Sequence, residues 1–369
     1  MERTVFEHRC IQLQCMLAQQ NVEAALITDP VNLYYLTGWR TNPHERFTGL
    51  LVPQAGPPAL VVPALDLEAA GTGWVNDVRG WRDGESPYEV LAEAARPGGA
   101  AGGTLAVEKA IMSLETFEGV AGALRPRGTL DVRPLLNNLR VKKDERELEL
   151  LQRAADIACE ALDSVCQIIR PGMTEKEVAG RLDQAIRALG GDGPAFETTV
   201  LSGPRSALPH AQSGDRLIAL GDLLVIDFGA AYRGYLSDIT RTFFVGPWPE
   251  DLSTVYDAVL AAHDAAIDSV APGKTMEDID RAARRVIEER GFGQYFIHRT
   301  GHGLGLAIHE EPYFVEGNRQ ELEPGMVGTI EPGIYLPGIG GVRIEDDVAV
   351  TSIGSRTLTR WPTERRTLG

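Results

Sequence analysis

The 369 residues are 43% hydrophobic and 24% charged; they exceed one average domain and can bury large cores, so two globular domains are expected. A formal net charge of −16 repels nucleic acid and anionic membrane, and no basic stripe interleaved with aromatics offsets it. No apolar run approaches the roughly 18 residues that span a bilayer, and four cysteines are too few for a disulfide framework.

The opening MERTVFEHRCIQLQCMLAQQ is charged and helix-like, without the apolar core of a secretory signal, which reads as a cytoplasmic protein. Cys10, Cys15, Cys159 and Cys166 form no CxxC and read as reduced thiols. After the first helix come the runs VEAALIT, VNLYYLTG, GLLVP and ALVVP, then WVNDVRGW and TLAVEK, with helix-like stretches between. This alternation predicts an α/β domain of mixed sheet and flanking helices over residues 1–138. The GGAAGG run at 98–103 is an internal loop. The boundary falls near Asn137–Lys143, where a long charged helix opens the second domain, residues 139–369.

That second domain contains a repeat. A helix ends at Pro171-Gly172 and another follows from Thr174 to Gly190; 101 residues on, Pro272-Gly273, Thr275 and Gly291 repeat the pattern. The threonines suit N-caps and the terminal glycines suit C′ positions. Two matched halves would close a pseudo-symmetric fold with a site between them. The apolar, Gly- and Pro-bounded segments Asp222–Gly229 with Tyr235–Val245, and Met326–Leu336 with Val342–Val350, predict antiparallel pairs.

These strands carry acids where acids are costly. Asp227, Asp238, Glu331 and Glu345 sit in strongly apolar surroundings, and a buried carboxylate needs a partner or a cation. Four converging with a histidine require compensating positive charge, which two divalent metals would supply. Oxygen donors plus one imidazole, without thiolate, favour Mn²⁺, Co²⁺ or Zn²⁺. Alternation puts Arg343 and Glu345 on one strand face and Asp346 on the other, and pairs Thr240 with Asp238 as its orienting neighbour. The glycines of HRTGHGLGLAIHEEP, residues 298–312, let the backbone pass close to a ligand, and their spacing is not that of a dinucleotide loop. Asp227-Phe228-Gly229 spells a kinase tripeptide, but no catalytic loop or glycine-rich lid accompanies it.

Taken in order, LVIDFGA, SDITRT, GHGLGLAIHEEP, TIEPGIY and GVRIEDD resemble the motifs of the pita-bread metallopeptidases: methionine aminopeptidases, aminopeptidase P, prolidases and the metal-free creatinases. The likeness implies an α+β protein, an N-terminal α/β domain like that of prolidases before a pseudo-symmetric catalytic domain. It implies Asp227, Asp238, His302, Glu331 and Glu345 as ligands of two divalent ions, Mn²⁺ foremost. His210 and His309 match histidines that contact the substrate, Glu331 is the implied proton carrier, and His298 and Tyr335 stand behind the ligands. All five ligands being present argues against creatinase chemistry, and the N-terminal domain argues against methionine aminopeptidase. Length and the HRTGHGLGLAIHEEP run look most like short prokaryotic Xaa-Pro dipeptidases, which cleave the bond before proline in dipeptides; the alternative is aminopeptidase P, which trims longer peptides. A dipeptidase should also present a cation to the proline carboxylate. Arg343, Arg319 and the loop carrying Arg40 and Arg46 are the candidates from sequence. Family members commonly form homodimers, which is expected here; the partners are small proline-containing peptides, with neither nucleic acid nor membrane.

Overall fold

Short apolar strands closed by Pro or Gly, alternating with capped helices, build a chain that divides into two compact units, Met1–Arg140 and Val141–Gly369. The computed structural model describes residues 3–369.

The first unit contains α1 (Arg3–Gln19), β1 (Ala24–Ile27), α2 (Pro30–Thr37), β2 (Gly49–Pro53), β3 (Ala59–Pro63) and α3 (Leu67–Ala70). It continues through β4 (Asp77–Trp81), α4 (Pro87–Ala95), β5 (Thr104–Val107), α5 (Leu114–Leu124), β6 (Gly128–Asp131) and α6 (Arg133–Arg140). The strands form one mixed sheet in the order β4-β3-β2-β1-β5-β6, antiparallel across β1–β2 and β2–β3 and parallel elsewhere. The run Val31–Thr37 is apolar enough for a strand, yet it is helical. Asp29 caps it by accepting from the Asn32 amide, Pro30 occupies the first turn, and Gly38 ends it at φ +76°. Just after β5, the fully buried Glu108 accepts from the Thr28 and Asp29 amides at 2.6 and 2.8 Å and from Asn32 Nδ2 at 2.7 Å. Arg140 Nη1 donates to Asn32 Oδ1 at 2.7 Å and so fixes which way that amide points.

The second unit opens with α7 (Glu145–Cys166), α8 (Glu175–Ala188), β7 (Gly193–Pro194), β8 (Thr199–Ser202), β9 (Leu223–Phe228), β10 (Ala230–Tyr232), β11 (Tyr235–Leu236) and β12 (Ile239–Val245). Its second half holds α9 (Glu250–Ser269), α10 (Met276–Glu289), β13 (Gly301–Gly303), β14 (Glu310–Phe314), β15 (Val327–Ile330) and β16 (Gly333–Leu336). Then come β17 (Gly340–Arg343), β18 (Asp346–Val350), β19 (Ser355–Thr357) and β20 (Thr367–Leu368). Helices α7 and α8 share a core with the sheet β20-β12-β9-β8, and α9 and α10 share one with β14-β13-β15-β18-β19.

The repeat is visible in the caps. Thr174 and Thr275 each form a capping box, with Glu177 and Asp278, and Gly190 and Gly291 follow the helices at φ +89° and +84°. Each cap threonine also bridges a later segment, Thr174 to Leu217 and Thr275 to Glu321. The predicted antiparallel pairs form as β9 with β12 and β15 with β18. Met326–Leu336 is not one strand, however: it breaks at Glu331-Pro332, and β16 leaves to pair with β17. Proline has no N–H for the ladder, so the sheet cannot continue through it.

Candidate active site and metal centre

A cavity of about 510 Å³ opens in the second unit, within the range usual for small-ligand sites. Its lining brings together Asp227, Asp238, His302, Glu331 and Glu345, with His210, His298, His309, Tyr335 and Arg343 around them. All ten of these residues were singled out in the sequence.

The strand geometry explains how they converge. Asp227 lies in β9, whereas Asp238 precedes β12, Glu331 follows β15, and Glu345 falls between β17 and β18. At such breaks a side chain is not bound to strand alternation, so acids from different sheets can turn to one point. His302 comes from β13 beside a register shift at Gly303. A Cβ added at neighbouring Gly301 would collide with the Thr329 carbonyl, so only glycine permits this close packing.

Thr240 was paired with Asp238 on strand alternation. Instead its hydroxyl donates to Glu345 Oε2 at 2.5 Å, because Asp238 lies outside the strand. Asp238 is steadied through its backbone, whose N–H donates to Asp347 Oδ2 at 3.0 Å. Asp347, two residues beyond Glu345 in β18, was not marked in the sequence as a supporting group. Arg241, 1% exposed, donates from Nη1 to the Glu345 carbonyl at 2.5 Å and from Nη2 to Asp346 and to the Trp361 carbonyl, both at 2.7 Å.

These residues suit a cation. Nε2 of His302 stands 3.7 Å from Asp238 Oδ2 and 3.5 Å from Glu331 Oε1. Nδ1 lies 3.0 Å from the Gly303 carbonyl, which places the ring proton there and turns a lone pair toward those carboxylates. Burial, then the nearby His309, hold the His302 pKa down to about 3, so the ring is neutral. Donor atoms of Asp238, His302 and Glu345 lie within 4.8 Å of one another. Asp238 Oδ1 and Glu345 Oε1 are buried and receive no hydrogen bond among the described residues. Burial, and then mutual repulsion, push Asp238 and Glu345 well above the usual carboxylate range. Burial likewise raises Asp227, and raises Glu331 to about 7. A divalent cation would satisfy the buried carboxylates, the orphaned oxygens and the lone pair together.

A directed hydrogen-bond chain backs the donors. Arg343 donates through Nη2 to Asp227 Oδ2 at 2.5 Å, through Nε to Thr240 Oγ1 at 3.1 Å, and through Nη1 to the Tyr335 oxygen at 2.9 Å. The Tyr335 hydroxyl lies 2.9 Å from His298 Nε2, and His298 Nδ1 lies 2.7 Å from the Arg299 carbonyl. Burial, then Arg343, lower the His298 pKa to about 4. The neutral ring therefore donates to Arg299 and accepts from Tyr335. His309 packs edge-on against His302, ring centres 4.2 Å apart, and is exposed toward the cavity mouth, as is His210.

The other arginines named from sequence are committed differently. Arg319 is 84% exposed and stands 3.7 Å from Glu277, and it does not line the cavity. Arg46 donates to Asp83 at 3.1 Å, and Arg40 stands over the Tyr34 ring. Arg299 lines the cavity and was passed over. Its signal was adjacency to His298: both lie in irregular backbone before β13, so consecutive side chains can face the same space.

Residues 149–352 match metallopeptidase family M24, and residues 9–142 match the creatinase/prolidase N-terminal domain. A Bacillus subtilis relative, YkvY, is 38% identical over 356 residues, covering 96% of this chain and 98% of its own. A Thermococcus sibiricus prolidase superposes with a TM-score of 0.94 at 37% identity, each chain covered at 100%. A Bacillus anthracis Xaa-Pro dipeptidase gives 0.91 at 32% identity over 98% of this chain and 100% of its own. With the metallopeptidase match spanning more than half its length and this site at its centre, the chain belongs to metallopeptidase family M24, as a hydrolase whose pita-bread domain follows a creatinase/prolidase N-terminal domain.

Proposed function

We propose that the chain is an Xaa-Pro dipeptidase. The observation that carries this reading is the convergence of Asp227, Asp238, His302, Glu331 and Glu345 on one cavity with His210 and His309 at its mouth. The resemblance of the whole chain to a prolidase and an Xaa-Pro dipeptidase supports the choice of substrate.

Those five side chains would hold two divalent ions, Mn²⁺ first among them, with Co²⁺ and Zn²⁺ as alternatives. Such ions, when bound, acidify water and polarise a carbonyl. The remaining work belongs to the chain's own groups. Glu331 would accept the proton of the attacking water at its carboxylate and return it to the leaving imino nitrogen of proline. His309 and His210 each offer a ring N–H to the oxygen that becomes negative as the carbonyl is attacked. Arg343 is buried and holds Asp227, Thr240 and Tyr335 in place through Nη2, Nε and Nη1. The bond before proline is a tertiary amide without an N–H, and a site organised around the carbonyl and the imino nitrogen does not need that donor.

Hydrolysis of Ala-Pro and of Ala-Pro-Ala with added Mn²⁺ tests the reading. Rapid release of alanine from the dipeptide, with the tripeptide poor, is expected. The reverse preference would make the chain an aminopeptidase P, and hydrolysis of neither would remove the proline specificity altogether.

A further inference from the structure

A dipeptide ending in proline brings a free carboxylate into a cavity already lined by five acids, so a fixed cation is needed to receive it. Two arginines line that cavity, Arg299 and Arg343. Arg343 is 5% exposed and already paired with Asp227, with Nη1 and Nε also directed at Tyr335 and Thr240, so its charge and its fork are engaged behind the donors. The guanidinium of Arg299, by contrast, meets no carboxylate and no carbonyl among the described residues, and its side chain is half-buried.

Its guanidinium lies over an aromatic face. Arg299 Cζ lies 4.1 Å from the centre of the Tyr313 ring, so the planar group is stacked rather than swinging in solvent. Stacking occupies the face of a guanidinium and leaves the N–H fork at its edge, the geometry that matches a carboxylate with two parallel bonds. Backbone support comes from the other side. The Arg299 carbonyl accepts from His298, which terminates the chain of bonds that runs from Asp227 through Arg343 and Tyr335. The reader and the candidate metal donors are therefore tied into one network. The charge of Arg299 is also felt within the site: after burial, it is the next cause holding the His309 pKa down.

We propose that Arg299, stacked on Tyr313, binds the free carboxylate of the dipeptide's proline and so makes the site prefer substrates that end there. The inference rests on the dipeptidase reading above and adds the residue that enforces it. In a longer peptide the same carbonyl carbon is part of an amide, and the fork then faces a group with no charge.

The test compares the Mn²⁺-loaded wild type with Arg299→Gln and Arg299→Lys on Ala-Pro and on Ala-Pro amide, and measures binding of free proline by calorimetry. In Arg299→Gln, the ratio of kcat/KM for the acid over the amide should fall roughly 10- to 100-fold, through KM, because a charge-assisted paired hydrogen bond is lost. Affinity for proline should fall by a similar factor, and Arg299→Lys, which keeps the charge without the fork, should be intermediate. Tyr313→Ala should lower the same ratio by loosening the stack. An unchanged ratio in Arg299→Gln with undiminished proline binding overturns the assignment while leaving the dipeptidase reading intact. A wild type that ignores Ala-Pro but cleaves Ala-Pro-Ala overturns both. Melting temperatures identify any misfolded variant, and the lysine substitution then decides.

Discussion

At the scale of single residues, the groups proposed to hold metal and those proposed to act on substrate should respond differently to removal. Asp238→Ala removes a donor from the cluster with His302 and Glu345, so hydrolysis should be abolished and bound metal, measured by elemental analysis, should fall, with the chain still folded. His309→Ala and His210→Ala should instead retain metal and lose on the order of 10²–10³ in kcat, the usual effect of removing an oxyanion donor. Loss of metal in His309→Ala, with full retention in His302→Ala, would reverse those roles. The acids and the HRTGH run were legible because costly residue types stood in apolar surroundings. The partner of Thr240 was not: alternation applies only inside a strand, and Asp238 lies just outside one. Glu108 was equally invisible, since nothing in TLAVEK marks a carboxylate that ties Thr28, Asp29 and Asn32 together. An amide there cannot satisfy both sides, and Arg140 prevents Asn32 from turning over to compensate. Glu108→Gln should therefore cost about 1–3 kcal/mol, read from chemical denaturation of the N-terminal unit.

Elements were easiest to read where caps and periods agreed, as at Thr174, Thr275, Gly190 and Gly291. They were hardest at breaks. Met326–Leu336 looked continuous because its composition is apolar on both sides of Glu331, yet Pro332 ends the ladder and sends β16 to a different sheet. Val31–Thr37 is the converse: β-rich composition, overridden by Asp29, Pro30 and Gly38. Arg241 belongs to this scale too, because it joins β12 to the break before β18 and to the backbone at Trp361 and Pro362. Arg241→Met would leave Asp346 and several carbonyls buried without that donor. A loss of about 3–5 kcal/mol is expected from denaturant titration, as for other broken buried pairs. A loss below about 1 kcal/mol would mean that His263, 3.1 Å from Asp346, already compensates.

For the whole molecule, one cluster stands out as opposing folding: Asp238 and Glu345 are buried, each with an oxygen that receives no hydrogen bond among the described residues. Divalent ions that bind only the folded chain stabilise it by mass action, about 2.7 kcal/mol at 100 times Kd. Chelated protein titrated with Mn²⁺ should thus melt at a temperature that climbs with ion concentration, and Asp238→Ala should show little of that climb. A flat response in the wild type would contradict the metal centre. Composition and alternation were enough to read the fold class. The order of strands within each sheet was not, because it depends on pairings between segments far apart in sequence.

The doubled helix–turn–helix pattern also decides who owns the chemistry. Everything before Gly246 contributes Asp227 and Asp238; everything after it contributes His302, Glu331 and Glu345, and the two inheritances meet where Thr240 bonds Glu345. Neither portion carries all five of the proposed donors. A chain cleaved in the short connection between β12 and α9 would yield two inert pieces, and any hydrolysis regained on mixing them would count reassembled molecules one by one.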